Sequence, residues 1–383
     1  MTELPEVIRG VTSVRVGMVS TYPPTRCGIA RFASSLVDNI PAVDPTIDID
    51  VVRLLNDKTR DLTHRSVVLE IDPNTSVGVR AAGRHLSECD VALIQHEFGL
   101  YGPNDGESVI GLLEAIDTQR IVVLHTVLPH PTDRQRELTR RMQQEATLVV
   151  LCESAATLLE ERYSIPRESV SIVHHGASWS ARQMNPPPRN QLITWGLLGP
   201  GKGIERALTA LAQLRDADPP IRYRIVGRTH PVVAARSGMS YRSMLEDLVG
   251  DLELSDVVEF IDRYVDDAEL HDLVRTSDVV VVPYDNHDQV SSGVITEAIG
   301  IGRPVVATRF PYSEEVLQGG AGLIVDHEPE AMAAAIRLLL SDANHYRQAA
   351  ETAAAMSDEF SWSRVAHHYA RLIKALVPSA ATA

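Results

Sequence analysis

The chain has 383 residues, 44% of them apolar, with a formal net charge of −15. That length exceeds one typical α/β core and suits two of roughly 150 to 200 residues, and the negative balance disfavours nucleic acid as a partner while leaving room for a local basic pocket that binds a small phosphate. Apolar residues fall in short runs, below the roughly 18 that cross a bilayer, and no charged start leads into an apolar leader, so a cytoplasmic protein with at most peripheral membrane contact is expected.

In chain order, β-branched runs at 14–20, 49–54, 91–95, 121–125, 148–151 and 170–173 alternate with helical stretches at 30–39, 108–116 and 134–145. This alternation predicts parallel strands covered by helices on both faces. It breaks at 178–190, a polar stretch containing Pro186-Pro187-Pro188, which cannot extend a helix or a central strand. Strands are then expected at 192–198, 223–226, 257–261, 279–282 and 304–307, with helices including 204–214 and 244–249. Ser361 is placed to cap a last helix through Leu376. The pattern divides the chain into 1–180 and 181–360, two Rossmann-like domains, with 361–383 as a terminal helix.

Open α/β sheets bind ligands beyond the carboxyl ends of their strands, so the segments leaving those strands are where chemistry is sought. Gly196-Leu197-Leu198-Gly199-Pro200-Gly201-Lys202-Gly203 leaves a strand and opens a helix. Glycine admits close backbone approach, a helix N-terminus carries about half a positive charge, and Lys202 adds a full one. The chain has only three lysines, Lys58, Lys202 and Lys374, so this placement is informative. A Walker A loop needs Ser or Thr where Gly203 stands, and the glycine order is not that of a dinucleotide fingerprint.

A second segment, Gln289 to Ala298, offers Ser291 or Ser292 as a helix cap, with Gly293 and Glu297 on one side of the helix it begins. A carboxylate there suits two vicinal hydroxyls such as those of a ribose. In the first half, the loop 21–29 with Gly28, the segment Gln95-His96-Glu97-Phe98-Gly99, and Leu124-His125-Thr126 all leave strands at one sheet end. His174-His175 is no metal pair, because adjacent strand residues point to opposite faces. The cysteines Cys27, Cys89 and Cys152 are too scattered for a disulfide framework or a zinc site, so no metal is expected. Arg134, Arg136, Arg140 and Arg141 share a helix with Asp133, Glu137 and Glu145 and read as a solvated face.

Tyr22-Pro23-Pro24 with Gly28, the His125 strand end, His175-Gly176, the loop from Gly196 to Gly203, and Glu297-Ala298 together resemble glycosyltransferase family 4. The resemblance runs along nearly the whole chain. It implies the α/β GT-B fold, two doubly wound Rossmann-like domains facing across a cleft, the first binding acceptor and the second donor, with the terminal helix crossing back. It also implies metal-independent, retaining transfer of a hexose, mannose or glucose, from a GDP-mannose or UDP-glucose type of donor to a hydroxyl of a carbohydrate or glycolipid acceptor. Front-face displacement is the expected route, and no cofactor is needed.

Residue by residue, the resemblance gives Lys202 the donor diphosphate, Glu297 the nucleotide ribose, and Ser292 and Gly293 backbone N–H groups for the diphosphate. His125 matches the histidine that contacts the transferred sugar and Gly28 the loop that approaches phosphate and acceptor. His125 and Lys202 are thus the expected catalytic pair. Arg228 is a candidate second phosphate contact from its own position after a strand, and His96 and Glu97 are candidates for the acceptor side. Two residues depart from the family pattern: Gln289 replaces the first Glu of the Glu-x7-Glu motif, and Leu197 replaces an arginine. A sugar phosphorylase or epimerase on the same fold, or a non-catalytic nucleotide-sugar binding protein, are the competing readings.

Overall fold

A computed structural model of the chain describes residues 13–55, 64–178, 190–229, 240–286 and 289–377. The proline run at 186–188 and the terminal stretch 378–383 lie outside the described residues. The chain divides into two compact units: residues 1–151, 156–173 and 365–383 form the first, and 152–155 with 174–364 the second.

The first unit is built on a seven-stranded sheet ordered β3-β2-β1-β4-β5-β6-β7. Its strands are β1 (Val14–Ser20), β2 (Ile47–Leu54), β3 (Val67–Ile71), β4 (Val91–His96), β5 (Gln119–Leu124), β6 (Thr147–Val150) and β7 (Val170–Ile172). The second unit has six strands in the order β10-β9-β8-β11-β12-β13. These are β8 (Gln191–Trp195), β9 (Arg222–Val226), β10 (Val258–Ile261), β11 (Val279–Val282), β12 (Val305–Thr308) and β13 (Gly322–Val325). Every pairing in both sheets is parallel. The central strand β11, Val279-Val280-Val281-Val282, is apolar throughout, because helices cover both faces of such a sheet.

In each sheet the strand order reverses once, between β1 and β4 and between β8 and β11. Connections leave those neighbouring strands toward opposite faces and open a crevice at their carboxyl ends. The loop 21–29 follows β1, Glu97 follows β4, the glycine loop follows β8, and the segment leading to Ser292 follows β11. These four loops therefore sit beside a reversal point of their own sheet, and the fifth candidate segment, Leu124-His125-Thr126, leaves β5, one strand further along.

Several elements differ from the sequence reading. The first helix runs Gly28–Val43, past Pro41, because a proline in the last turn forfeits one backbone bond rather than several. Strands β3 and β13 were not expected. β3 and β13 are short strands of five and four residues, and β3 carries Glu70 within its apolar run. The last helix, Trp362–Leu376, starts in the second unit and continues in the first from Val365. At its start Trp362 donates its N–H to the Ala177 carbonyl, and a side chain at Gly176 would collide with the Trp362 indole. Within the first unit Lys374 pairs with Asp44, and Tyr369 and Ile373 are buried.

Candidate functional site

The glycine loop of the second unit has a backbone that only glycine supplies. Gly196, Gly201 and Gly203 have φ of +126°, +86° and +62°. A side chain at Gly203 would collide with the Pro283 carbonyl, and one at Gly227 with that of Gly196. The loop is therefore pressed against the exits of β9 and β11. Asp285 donates its N–H to the Gly201 carbonyl at 3.0 Å, and Arg206, in the following helix Ile204–Ala212, pairs with the Asp285 carboxylate.

This clamp sets Lys202. Its ammonium lies 4.1 Å from the centroid of the Tyr284 ring, a cation–π contact, and it forms no ion pair among the described residues. Tyr284 is 4% exposed and stacks on Phe310 at 5.7 Å, so the ring is a fixed platform. Arg228 is exposed, its carbonyl accepts the Leu198 N–H at 2.8 Å, and its guanidinium has no acid partner among the described residues. Two cations without counter-charges among the described residues thus lie on the β8 side of the reversal point of the second sheet.

On the other side of that point, Ser292 caps the helix Gly293–Ile301, its Oγ accepting the Ile295 N–H at 3.3 Å. Thr296 bonds the Ser292 carbonyl and the Tyr312 hydroxyl, which burial pushes up so that it keeps its proton. Gly293 faces His175, whose imidazole stands 3.4 Å from where a Cβ would be. Glu297 is buried at 5% exposure and already receives two donors: the Ser178 N–H at 3.1 Å and the Ser178 hydroxyl at 3.3 Å, one on each oxygen. Gln289 donates its amide to the Ser291 carbonyl at 2.8 Å, bracing the turn before the cap.

In the first unit Gly28 opens its helix behind Cys27, whose sulfur accepts the Ala30 N–H, and nothing lies within 4 Å of a Cβ placed on Gly28. The residue that holds this loop is Arg53, which the sequence reading passed over. Fully buried, it donates to the Tyr22 carbonyl at 3.1 Å, to the Thr25 hydroxyl at 2.8 Å and to Glu70 at 2.7 Å. The available signal was an arginine at the apolar end of β2 and a glutamate inside the apolar run of β3.

His125 is half-buried, with Nε2 2.8 Å from the Gln95 amide oxygen and its ring edge-on to Phe32. Glu97 accepts the Gly99 N–H at 2.8 Å and closes a turn. His96, expected on the acceptor side, is instead a fully buried ring stacked on Tyr101 and edge-on to Phe98. Burial pushes its pKa down to about 3, and a neutral ring with no exposed edge presents nothing to an acceptor in this conformation.

Asp50, His85 and Cys89 bring ligand-type atoms within 4.8 Å of one another, but Asp50 is already paired with Arg15 at 2.7 Å. Arg136, Arg140 and Arg141 bond to Asp133, the Tyr163 carbonyl and Glu114, which commits three of the four helix arginines to the protein itself. No helix among the described residues is long and apolar enough to cross a membrane.

Residues 178–356, which contain the glycine loop, Ser292 and Glu297, match the glycosyl transferases group 1 family. The match covers just under half of the chain. Among curated relatives, the D-inositol 3-phosphate glycosyltransferase of Streptomyces bingchenggensis is 31% identical over 238 residues, 57% of this chain and 50% of its own. That of Corynebacterium urealyticum is 29% identical over 255 residues, 60% and 56%. The chain spans about half the length of the curated relatives it matches. The fold is GT-B. It is shared with HepE of Anabaena, solved in complex with UDP, at a TM-score of 0.74 and 16% identity over 95% of this chain and 100% of that one. A glycosyltransferase of Rickettsia africae gives 0.75 at 14% identity over 96% and 100%.

Proposed function

We propose that the chain is a retaining glycosyltransferase that moves a hexose from a nucleoside diphosphate donor to a hydroxyl acceptor. The observation that carries the reading is the clamped glycine loop, which sets Lys202 after β8 and ties its backbone to that of Arg228 after β9, with no acid paired to either side chain among the described residues. Cations at the exits of β8 and β9 suit a diphosphate whose charge grows as it leaves. Donors preorganised toward such charge typically contribute roughly 3 kcal/mol each. The N–H groups that open the Gly293–Ile301 helix would add to this pull.

Glu297 would take the ribose. Its two oxygens already accept a pair of neighbouring donors from Ser178, the pattern that two vicinal hydroxyls would reproduce. Gln289 stands where the family's first motif acid contacts the donor sugar, so any such contact here is made by a neutral amide. His125 is assigned the transferred sugar, Gly28 the close approach of its loop to phosphate and acceptor, and Glu97 the acceptor side. The leaving phosphate takes the acceptor proton as the acceptor oxygen bonds the anomeric carbon from the same face, which gives retention without a covalent intermediate. No metal or cofactor is assigned a role.

A UDP-linked donor is favoured by the UDP complex of the Anabaena protein, and an acceptor bearing a phosphate by the D-inositol 3-phosphate enzymes. Calorimetric titration with UDP, GDP and ADP and their glucose and mannose conjugates tests the donor. One series is expected to bind wild type and to weaken about a hundredfold in Lys202→Ala. Absence of binding by all of them sinks the proposal. Proton NMR of the product reports the anomer, and inversion sinks the retaining mechanism.

A further inference from the structure

Gln95, at the end of β4, is wholly buried, and its place in the strand is fixed by the Tyr101 hydroxyl, which donates to its carbonyl at 2.9 Å. It pairs with Val123 across β4 and β5, and two residues beyond Val123 stands His125. The side-chain oxygen of Gln95 lies 2.8 Å from His125 Nε2. An amide oxygen can only accept, so this bond needs the proton on Nε2 and makes Nδ1 the acceptor nitrogen of the neutral ring.

The ring is also constrained elsewhere. The His125 N–H donates to the His96 carbonyl at 3.0 Å, and Phe32 meets the imidazole edge-on, with centroids 4.8 Å apart and planes at 87°. The Gln95 amino group, by contrast, is shielded and has no hydrogen-bond partner among the described residues. A buried amide left half-satisfied is a cost that Leu or Met in this apolar strand would avoid. The bond to His125 is what the glutamine gives in return.

We propose that Gln95 is a positioning residue that holds His125 in one orientation and in its Nε2–H tautomer. This deepens the proposed function and rests on it for the consequence to turnover, but not for the state of the ring.

Long-range proton–nitrogen correlation spectra of the full chain, with His125 assigned from a His125→Gln variant, read the tautomer directly. Wild type should show one species with the proton on Nε2, and Gln95→Glu should keep it there. Gln95→Met, which preserves length and removes the acceptor, should give a mixture of tautomers. In an active enzyme, Gln95→Met should also lower kcat by about tenfold or more with the donor KM held within about twofold, as expected for lost alignment rather than lost binding. A wild-type ring protonated on Nδ1, or a Gln95→Met ring unchanged in tautomer, overturns the proposal whatever the turnover. A tautomer mixture with undiminished turnover overturns it too. If the ring behaves as expected but wild type transfers no sugar, the positioning stands and the transferase reading is what fails.

Discussion

A guanidinium taken fully out of water needs its counter-charge, and Arg53 has one in Glu70. Removing one partner of such a buried pair typically costs about 3–5 kcal/mol, because the other charge is left uncompensated. Glu70→Gln is therefore expected to lower the denaturant midpoint of the protein by that order, and a change under about 1 kcal/mol in chemical unfolding would show the pair to be dispensable. His96 carries a different electrostatic load. Its folded pKa, about 3, lies below the ordinary histidine value, so the unfolded chain binds the extra proton between those two values. Stability from this residue is complete above about pH 6.5 and falls as pH drops toward 3, by at most about 1.4 kcal/mol per pH unit. His96→Phe should flatten that acid limb in urea titrations run from pH 7 to 4.5, and an unchanged slope would assign it to other groups.

Among the elements, the glycine loop has the narrowest tolerance. Gly203 combines a positive φ with a Pro283 carbonyl where a Cβ would go, so Gly203→Ala must displace the loop or the exit of β11. The expected result is a loss of about 1–3 kcal/mol in stability together with weakened nucleotide binding. Gly28→Ala, where nothing lies within 4 Å, should leave stability within about 1 kcal/mol, separating a steric glycine from one that leaves room for a ligand. This loop was legible in the sequence because its signal is local: glycines, one scarce lysine, and a strand-to-helix transition. The Ser292 cap was legible for the same reason. Arg53, Gln95 and Tyr284 were not, since each acts through a partner on another strand or loop, 17 to 82 positions away, that only the sheet order brings near. His96 and Glu97 are adjacent strand-end polar residues that read alike in sequence, yet one is stacked inside and the other closes a turn.

At the scale of the molecule, the alternation of apolar runs and helices gave two parallel sheets, because a strand covered on both faces must be apolar along its whole length. The chain path was harder to read, as the helix Trp362–Leu376 leaves the second unit at Arg364 and completes the first. Removing residues 365–383 strips Val365, Tyr369 and Ile373 from the first unit along with the Asp44–Lys374 pair. Large apolar side chains contribute about 1.5–3 kcal/mol each when fully buried, so the first unit should lose most of its margin. Hydrogen exchange followed by peptide should show faster exchange in the strands of the first unit and little change in β8 to β13. Equal loss in both sheets would mean that the helix serves the whole chain alike.

That helix also sets an order of events during synthesis. A ribosome adding about 5–20 residues per second releases Leu376 roughly 10–40 s after Val173. Through that interval the seven-stranded sheet waits with the docking face for Tyr369 and Ile373 uncovered, while the later-made sheet can already close on itself. The half of the protein that is made first is thus the half that is finished last, and a nascent chain stalled near residue 360 would expose its sticky surface on the older unit.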